Sequence, residues 1–284
     1  MSFKITCDSS ADLTKELYEK NKISVIPFTI TLGDDSFKDG TKLSNEEMFE
    51  YFQANKVLPK TSALNSYDYE EFFKAENTED EGIIHLSISS KISSTYNNAV
   101  EASKQFNNVY VIDSLSLSTG LGLQVLYACK LRDKKVPIAE AVELINKRRE
   151  HVQISFVVDT LTYLHKGGRC SALAMLGATV LGIRPSIKVA NGKMGVGTKY
   201  KGKIHKILDK YILDTLEEFN SPDPELCFLT YSSATDEMKD IAHETLKANA
   251  KFKKIIDTTA GCTVSTHCGP NTIGIIYYND TENK

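Results

Sequence analysis

Hydroxyl side chains gather at the points where apolar stretches give way to polar ones. Cys7-Asp8-Ser9-Ser10 closes the first apolar run, Thr61-Ser62 sits in a loop, Ser87 to Thr95 reads Ser-Ile-Ser-Ser-Lys-Ile-Ser-Ser-Thr, and Asp113-Ser114 closes a further run. A hydroxyl both donates and accepts a hydrogen bond. Several hydroxyls beside free amides at a helix start can hold a carboxylate or a phosphate. Each one alone is explained as an ordinary helix cap; their repetition is not. Another candidate group is His267, in Thr263-Val-Ser-Thr-His267-Cys-Gly-Pro270, which reads as a turn rather than a helix face.

The elements that would position these groups alternate. Strands are expected at 3–7, 24–32, 82–88 and 109–113, and helices at 13–20, 44–52, 67–74, 119–130 and 137–149. Ser44-Asn-Glu-Glu47 forms a capping box at the start of the second helix. The later part begins with a strand at 155–159 and a short helix stopped by Gly167-Gly168. An apolar helix at 171–181 follows, then a hairpin turning at Asn191-Gly192, then helices at 204–219 and 235–249 and strands at 226–231, 254–258 and 273–278. This order predicts an α/β fold with two domains, divided at residue 153. Residues 1–153 should form a mainly parallel sheet with flanking helices and residues 154–284 a mixed-sheet α/β domain. In open α/β sheets the crevice beyond the strand carboxyl ends is the usual ligand position.

Composition narrows the function. The 284 residues carry a net charge of −3, with 41% hydrophobic and 25% charged residues. No basic excess points to nucleic acid or an anionic membrane, and the run Lys199-Tyr200-Lys201-Gly202-Lys203 reads as a solvated loop face. The chain shows no secretory signal and no apolar window long enough to span a bilayer, so a cytoplasmic protein is expected. Without a long exposed apolar stripe, a monomer is expected. Six scattered cysteines with no CxxC pair read as reduced thiols, and Cys262 with His267 and Cys268 falls short of four spaced zinc ligands. No metal or cofactor is expected. No G-x-S-x-G elbow, GxxxxGK[ST] loop or strand-borne GxGxxG is present, which weighs against hydrolases, nucleotide-binding proteins and dehydrogenases. Two further readings stay open: a serine nucleophile with His267 as base for acyl or phosphoryl transfer, and a module for another small anion such as a sugar phosphate.

Five motifs in order, from residue 6 to about 274, resemble the DegV family: Thr6-Cys7-Asp8-Ser9-Ser10-Ala11-Asp12-Leu13, Pro59-Lys60-Thr61-Ser62, Ser89-Ser90-Lys91-Ile92-Ser93-Ser94-Thr95-Tyr96, Lys166-Gly167-Gly168-Arg169 and His267-Cys268-Gly269-Pro270. Ser94 stands where a glycine is common, Ala63-Leu64 replaces a frequent glutamine-proline, and Lys201 replaces a frequent arginine. The resemblance implies a DegV-like fold with a ligand tunnel between two α/β domains. It implies a non-catalytic carrier that binds a long-chain fatty acid such as palmitate and presents it to a separate fatty acid kinase for conversion to acyl phosphate. Thr61 and Ser93 would contact the carboxylate with His267 joining them, and Ser62, Ser94 and Arg169 complete the candidate binding set. A bidentate arginine would hold the carboxylate as an ion and quench its nucleophilicity, which puts Arg169 behind the contact residues. The tunnel wall is expected from the apolar stretch 173–183, with Phe28, Ile30 and Leu117. A C16 chain buries about fifteen methylenes at roughly 0.8 kcal/mol each, so the tail would supply affinity and the hydroxyls orientation.

Overall fold

The computed structural model describes residues 3–77, 82–170 and 182–281. β1 (Phe3–Asp8) is buried along almost its whole length, as suits an inner strand of a parallel sheet. It pairs in parallel with β2 (Ile23–Ile26) on one side and β6 (Gly82–Ser87) on the other, and β7 (Val109–Asp113) extends the sheet beyond β6. The expected strand at 24–32 is two strands. Pro27, which lacks an N–H for the ladder, interrupts it, and β3 (Thr29–Leu32) turns away to form a small antiparallel sheet with β4 (Asp35–Lys38) and β5 (Lys60–Ser62). Thr61 and Ser62 therefore lie on a strand and not in a loop. Three residues between polar flanks carry too little periodicity to announce themselves.

The first three α-helices start under side-chain caps. Ser9–Ala11 is a single 3₁₀ turn under Asp8, and the short α1 (Lys15–Lys20) starts under Thr14. α2 (Asn45–Asn55) carries the expected capping box at Ser44 and Glu47, and α3 (Ser66–Glu76) has a second at Asn65 and Asp68. α4 (Thr95–Ser103) follows the serine-rich segment. α5 (Ser118–Asp133) is buried on nearly every side because it touches β1 and β6 as well as two strands of the second sheet. α6 (Ile138–Arg148) follows Pro137.

The second sheet begins with β8 (Val152–Val157). α7 (Thr162–Gly167) ends at Gly168, whose φ of 67° closes the helix in the left-handed region. β9 (Ile183–Ala190) and β10 (Lys193–Lys201) form the expected hairpin, with φ positive at both Asn191 and Gly192. After α8 (Ile204–Glu218) come β11 (Cys227–Tyr231), α9 (Asp236–Asn249), β12 (Ile255–Thr259), α10 (Cys262–Cys268) and β13 (Ile273–Tyr278). The strand order is β10-β9-β8-β13-β11-β12, parallel only between β11 and β12. A parallel sheet followed by a mixed one is what the sequence predicts. The expected helix at 171–181 lies outside the described residues.

His267 sits on α10, not in a turn. Cys-Thr-Val-Ser-Thr-His-Cys is poor in helix formers, since β-branched side chains lose χ1 freedom there. Tertiary packing overrides that preference: all residues of α10 except His267 are buried. No helix among the described residues is long and apolar enough to cross a membrane, and no described group of His, Cys, Asp and Glu could hold a metal ion.

Candidate ligand-binding cavity

Buried acids fix the strand ends from which the candidate groups project. The Asp8 carboxylate accepts from Ser10 N (3.1 Å) and the Ser10 hydroxyl through Oδ1, and from Ile88 N (2.8 Å) and Ser87 Oγ (3.1 Å) through Oδ2. That ties the end of β1 to the end of β6, where the serine-rich segment starts. Ser89 then donates to the carbonyl of Gly192 at 2.8 Å, which draws the β9–β10 hairpin turn onto the same segment. Across the molecule, Asp12 accepts from Gly261 N at 2.8 Å and from Ser118 Oγ at 2.5 Å, fixing the start of α10 against α5. Burial pushes both carboxyls above their usual range.

These ties bring all six candidate residues to one cavity. Thr61 and Ser62 reach it from β5, Ser93 and Ser94 from the start of α4, Arg169 from beyond α7, and His267 from α10. The cavity measures about 170 Å³, and its apolar wall includes Phe28, Ile88, Ile92, Leu117, Leu164, Met194 and Val264. Phe28 and Leu117 stand where expected. Ile30 does not: it is fully buried with Met48, Phe49 and Tyr163, away from the cavity. Of the expected wall at 173–183, residues 173–181 lie outside the described residues.

His267 organises the polar end. Its Nε2 lies 3.1 Å from Thr61 Oγ1, and its Nδ1 is buried without a partner. A buried N–H left unpaired is rarer than an unpaired acceptor, which puts the proton on Nε2. Thr61 Oγ1 then accepts from the ring and keeps its own hydrogen to donate. Burial, with the nearby positive charge of Arg169, pushes His267 down to about 4, so the ring is neutral at pH 7. Gly167 permits this placement, because a Cβ there would run into Nδ1. The Gly167-Gly168 pair thus does two jobs, one glycine clearing the histidine and the next ending α7.

Ser93 Oγ lies 2.8 Å from Thr95 Oγ1 and accepts from Thr95 N at 3.3 Å. If Thr95 donates both bonds, the Ser93 hydrogen remains available to a ligand. Ser94, directly before α4, makes no side-chain cap bond and is exposed. Arg169 is exposed and donates to the Gly167 carbonyl at 2.8 Å. The arrangement offers neutral hydroxyl donors over an apolar hollow, with one cation at the side. Sequence reasoning missed the contribution of α10 beyond its histidine. Val264, His267 and Cys268 all line the cavity, and their i, i+3, i+4 spacing is the signal that marks one helix face.

The model of the DegV family matches residues 2–280. The chain belongs to the DegV family. A DegV protein of Thermus thermophilus described for its fatty acid binding has the same fold, with a TM-score of 0.91 at 23% identity over 98% of this chain and 99% of that one. A Thermotoga maritima protein described as revealing a fatty acid binding function is 27% identical, with a TM-score of 0.82 over 98% and 99% of the two chains. The fatty acid kinase B3 protein of Streptococcus pneumoniae, described as loaded with linoleic acid, is 22% identical, with a TM-score of 0.83 over 99% and 100%. The DegV fold accounts for the succession of a parallel and a mixed sheet.

Proposed function

We propose that this chain is a cytoplasmic, monomeric carrier that holds a long-chain fatty acid between two lobes divided at residue 153 and presents its carboxylate to a separate fatty acid kinase. The carboxylate lies among Thr61, Ser93 and His267, with Ser62 and Ser94 beside them and Arg169 behind. The observation that carries the reading is the convergence of these six residues on one cavity whose remaining wall, apart from Thr263, is apolar or a thiol. Fatty acid binding by the Thermotoga relative and the kinase-system name of the pneumococcal one support the same ligand and partner.

The site is better suited to holding than to turning over. A nucleophile–base pair here would be Thr61 with His267. A histidine pushed down to about 4 is a weak base at pH 7, and its Nδ1 has no carboxylate to orient it. Hydroxyl donors suit either the carboxylate or the protonated acid and leave an oxygen accessible to an incoming phosphoryl group. The test is incubation of the palmitate-loaded protein with a fatty acid kinase and labelled ATP. One acyl phosphate per protein, with no turnover of acyl esters by the protein alone, is expected. Steady multiple turnover by the isolated protein, abolished in His267→Ala, contradicts the proposal.

A further inference from the structure

The hydroxyls of the polar end come from two separate parts of the chain. Ser93 and Ser94 stand at the start of α4, on a segment that the parallel sheet and the hairpin hold. Asp8 accepts from the amide of Ile88 at 2.8 Å, Asp113 accepts from that of Ser90 at 3.1 Å, and Ser89 donates to Gly192. Thr61 and Ser62 stand on β5, which belongs to the small antiparallel sheet and pairs with β3. One side chain crosses between the two parts. Asn98 lies one turn along α4 from Ser94, and its backbone N–H donates to the Ser94 carbonyl at 3.1 Å. Its Nδ2 donates to the carbonyl of Leu64 at 2.7 Å. Among the described residues this is the hydrogen bond that joins residues 60–65 to residues 89–98. Leu64 is buried in one apolar cluster with Phe28, Ile88, Ala99 and Leu117. Its carbonyl, deprived of this donor, is costly to leave in place. The shortest relief is a shift of residues 62–64, and Ser62 and Ala63 line the cavity.

We infer that Asn98 is a positioning residue for the head group: by holding Leu64 it sets the gap between the hydroxyls of Thr61 and Ser62 and those of Ser93 and Ser94, across which a carboxylate is shared. The inference rests on the proposed fatty acid site. A carboxylate has two oxygens, and each can take a donor from one side of the gap. A primary alcohol has one oxygen, which either side satisfies alone. A change in the gap therefore weakens an acid more than an alcohol of the same length, whereas damage to the apolar wall weakens both alike.

The test is the ratio of palmitate to 1-hexadecanol affinity in the wild-type chain, Asn98→Ala and Asn98→Leu. Both ligands are delivered from cyclodextrin and read by displacement of a fluorescent fatty acid. Asn98→Ala removes the donor, and alanine suits a helix better than asparagine does. The acid-to-alcohol ratio should fall roughly three- to tenfold, the worth of one hydrogen bond, while the alcohol changes by less than about twofold. Asn98→Leu keeps the bulk without the donor and should show the same fall. If one variant fails to fold, as judged by circular dichroism, the other decides alone. An unchanged ratio, an equal loss for both ligands, or a wild-type ratio in Asn98→Leu overturns the positioning role and leaves the carrier reading intact. A wild-type chain that binds neither ligand overturns both.

Discussion

Ser93 has a structural duty whatever it binds, because it accepts from the first backbone amide of α4. Removing its hydroxyl removes both that bond and the donor offered to the cavity. Ser93→Ala should weaken palmitate binding by about 1–3 kcal/mol where the bound acid buries and pairs the hydroxyl, in a calorimetric titration. An unchanged affinity would return Ser93 to the role of cap alone. His267 is hydrogen-bonded to Thr61, so in the proposed carrier His267→Ala should weaken binding by about 0.5–1.5 kcal/mol, whereas loss of a catalytic base costs on the order of 10²–10⁴ in rate. The six candidates stood out in the sequence because their side chains are polar and fall in short motifs, and all six line the cavity. Val264 and Cys268 did not, because an apolar residue on a short helix looks the same whether it faces a ligand or the core. Ile30 shows the same ambiguity in reverse: it alternates correctly on β3 yet packs into α2 and Tyr163.

At the scale of elements, the decisive contacts join segments far apart in sequence. Asp8 joins β1 to β6 with four donors. Asp8→Ala would leave those donors buried and unpaired, at a cost of about 3–5 kcal/mol, and a melting temperature lower by roughly 10 °C in a thermal unfolding scan is expected. Gly167 lets α7 approach the histidine of α10. Gly167→Val should therefore displace the ring and reduce palmitate affinity as much as His267→Ala does, with no additional loss when the two are combined in a double-mutant cycle. Some capped starts were readable locally, as the box at Ser44 shows. β5 and α10 were not. One is three residues long, and the other runs against helix propensity, so both depend on partners that only the folded chain supplies.

For the whole molecule, the parallel-then-mixed order was legible in the alternation of elements, while the packing of α5 against both sheets was not, since an all-round apolar helix does not name its neighbours. That packing buries ionisable groups. His85 is fully enclosed beside Tyr69, Phe72 and Phe73 and is pushed down to about 3, and His267 to about 4. An unfolded histidine takes a proton near pH 6.5. Below that pH the unfolded chain binds protons that the folded chain refuses, so each histidine's contribution falls by about 1.4 kcal/mol per pH unit until its folded value is reached. Asp8, Asp12 and Asp39 are raised by burial and act in the opposite sense, their charged forms being disfavoured as pH rises. Denaturant titrations of wild type and His85→Gln between pH 6.5 and 5 separate the two: the wild-type slope should be steeper by about 1.4 kcal/mol per unit, and equal slopes would contradict a buried neutral His85.

The claim on which the rest depends is that the cavity beneath Thr61, Ser93 and His267 holds a long acyl chain. Native mass spectrometry of the protein purified without added lipid tests it most directly. A co-purified mass matching one acid of about C14–C18 per chain, lost or shifted in Ser93→Ala, is the predicted result. A ligand-free protein whose mass stays unchanged after incubation with palmitate would contradict it.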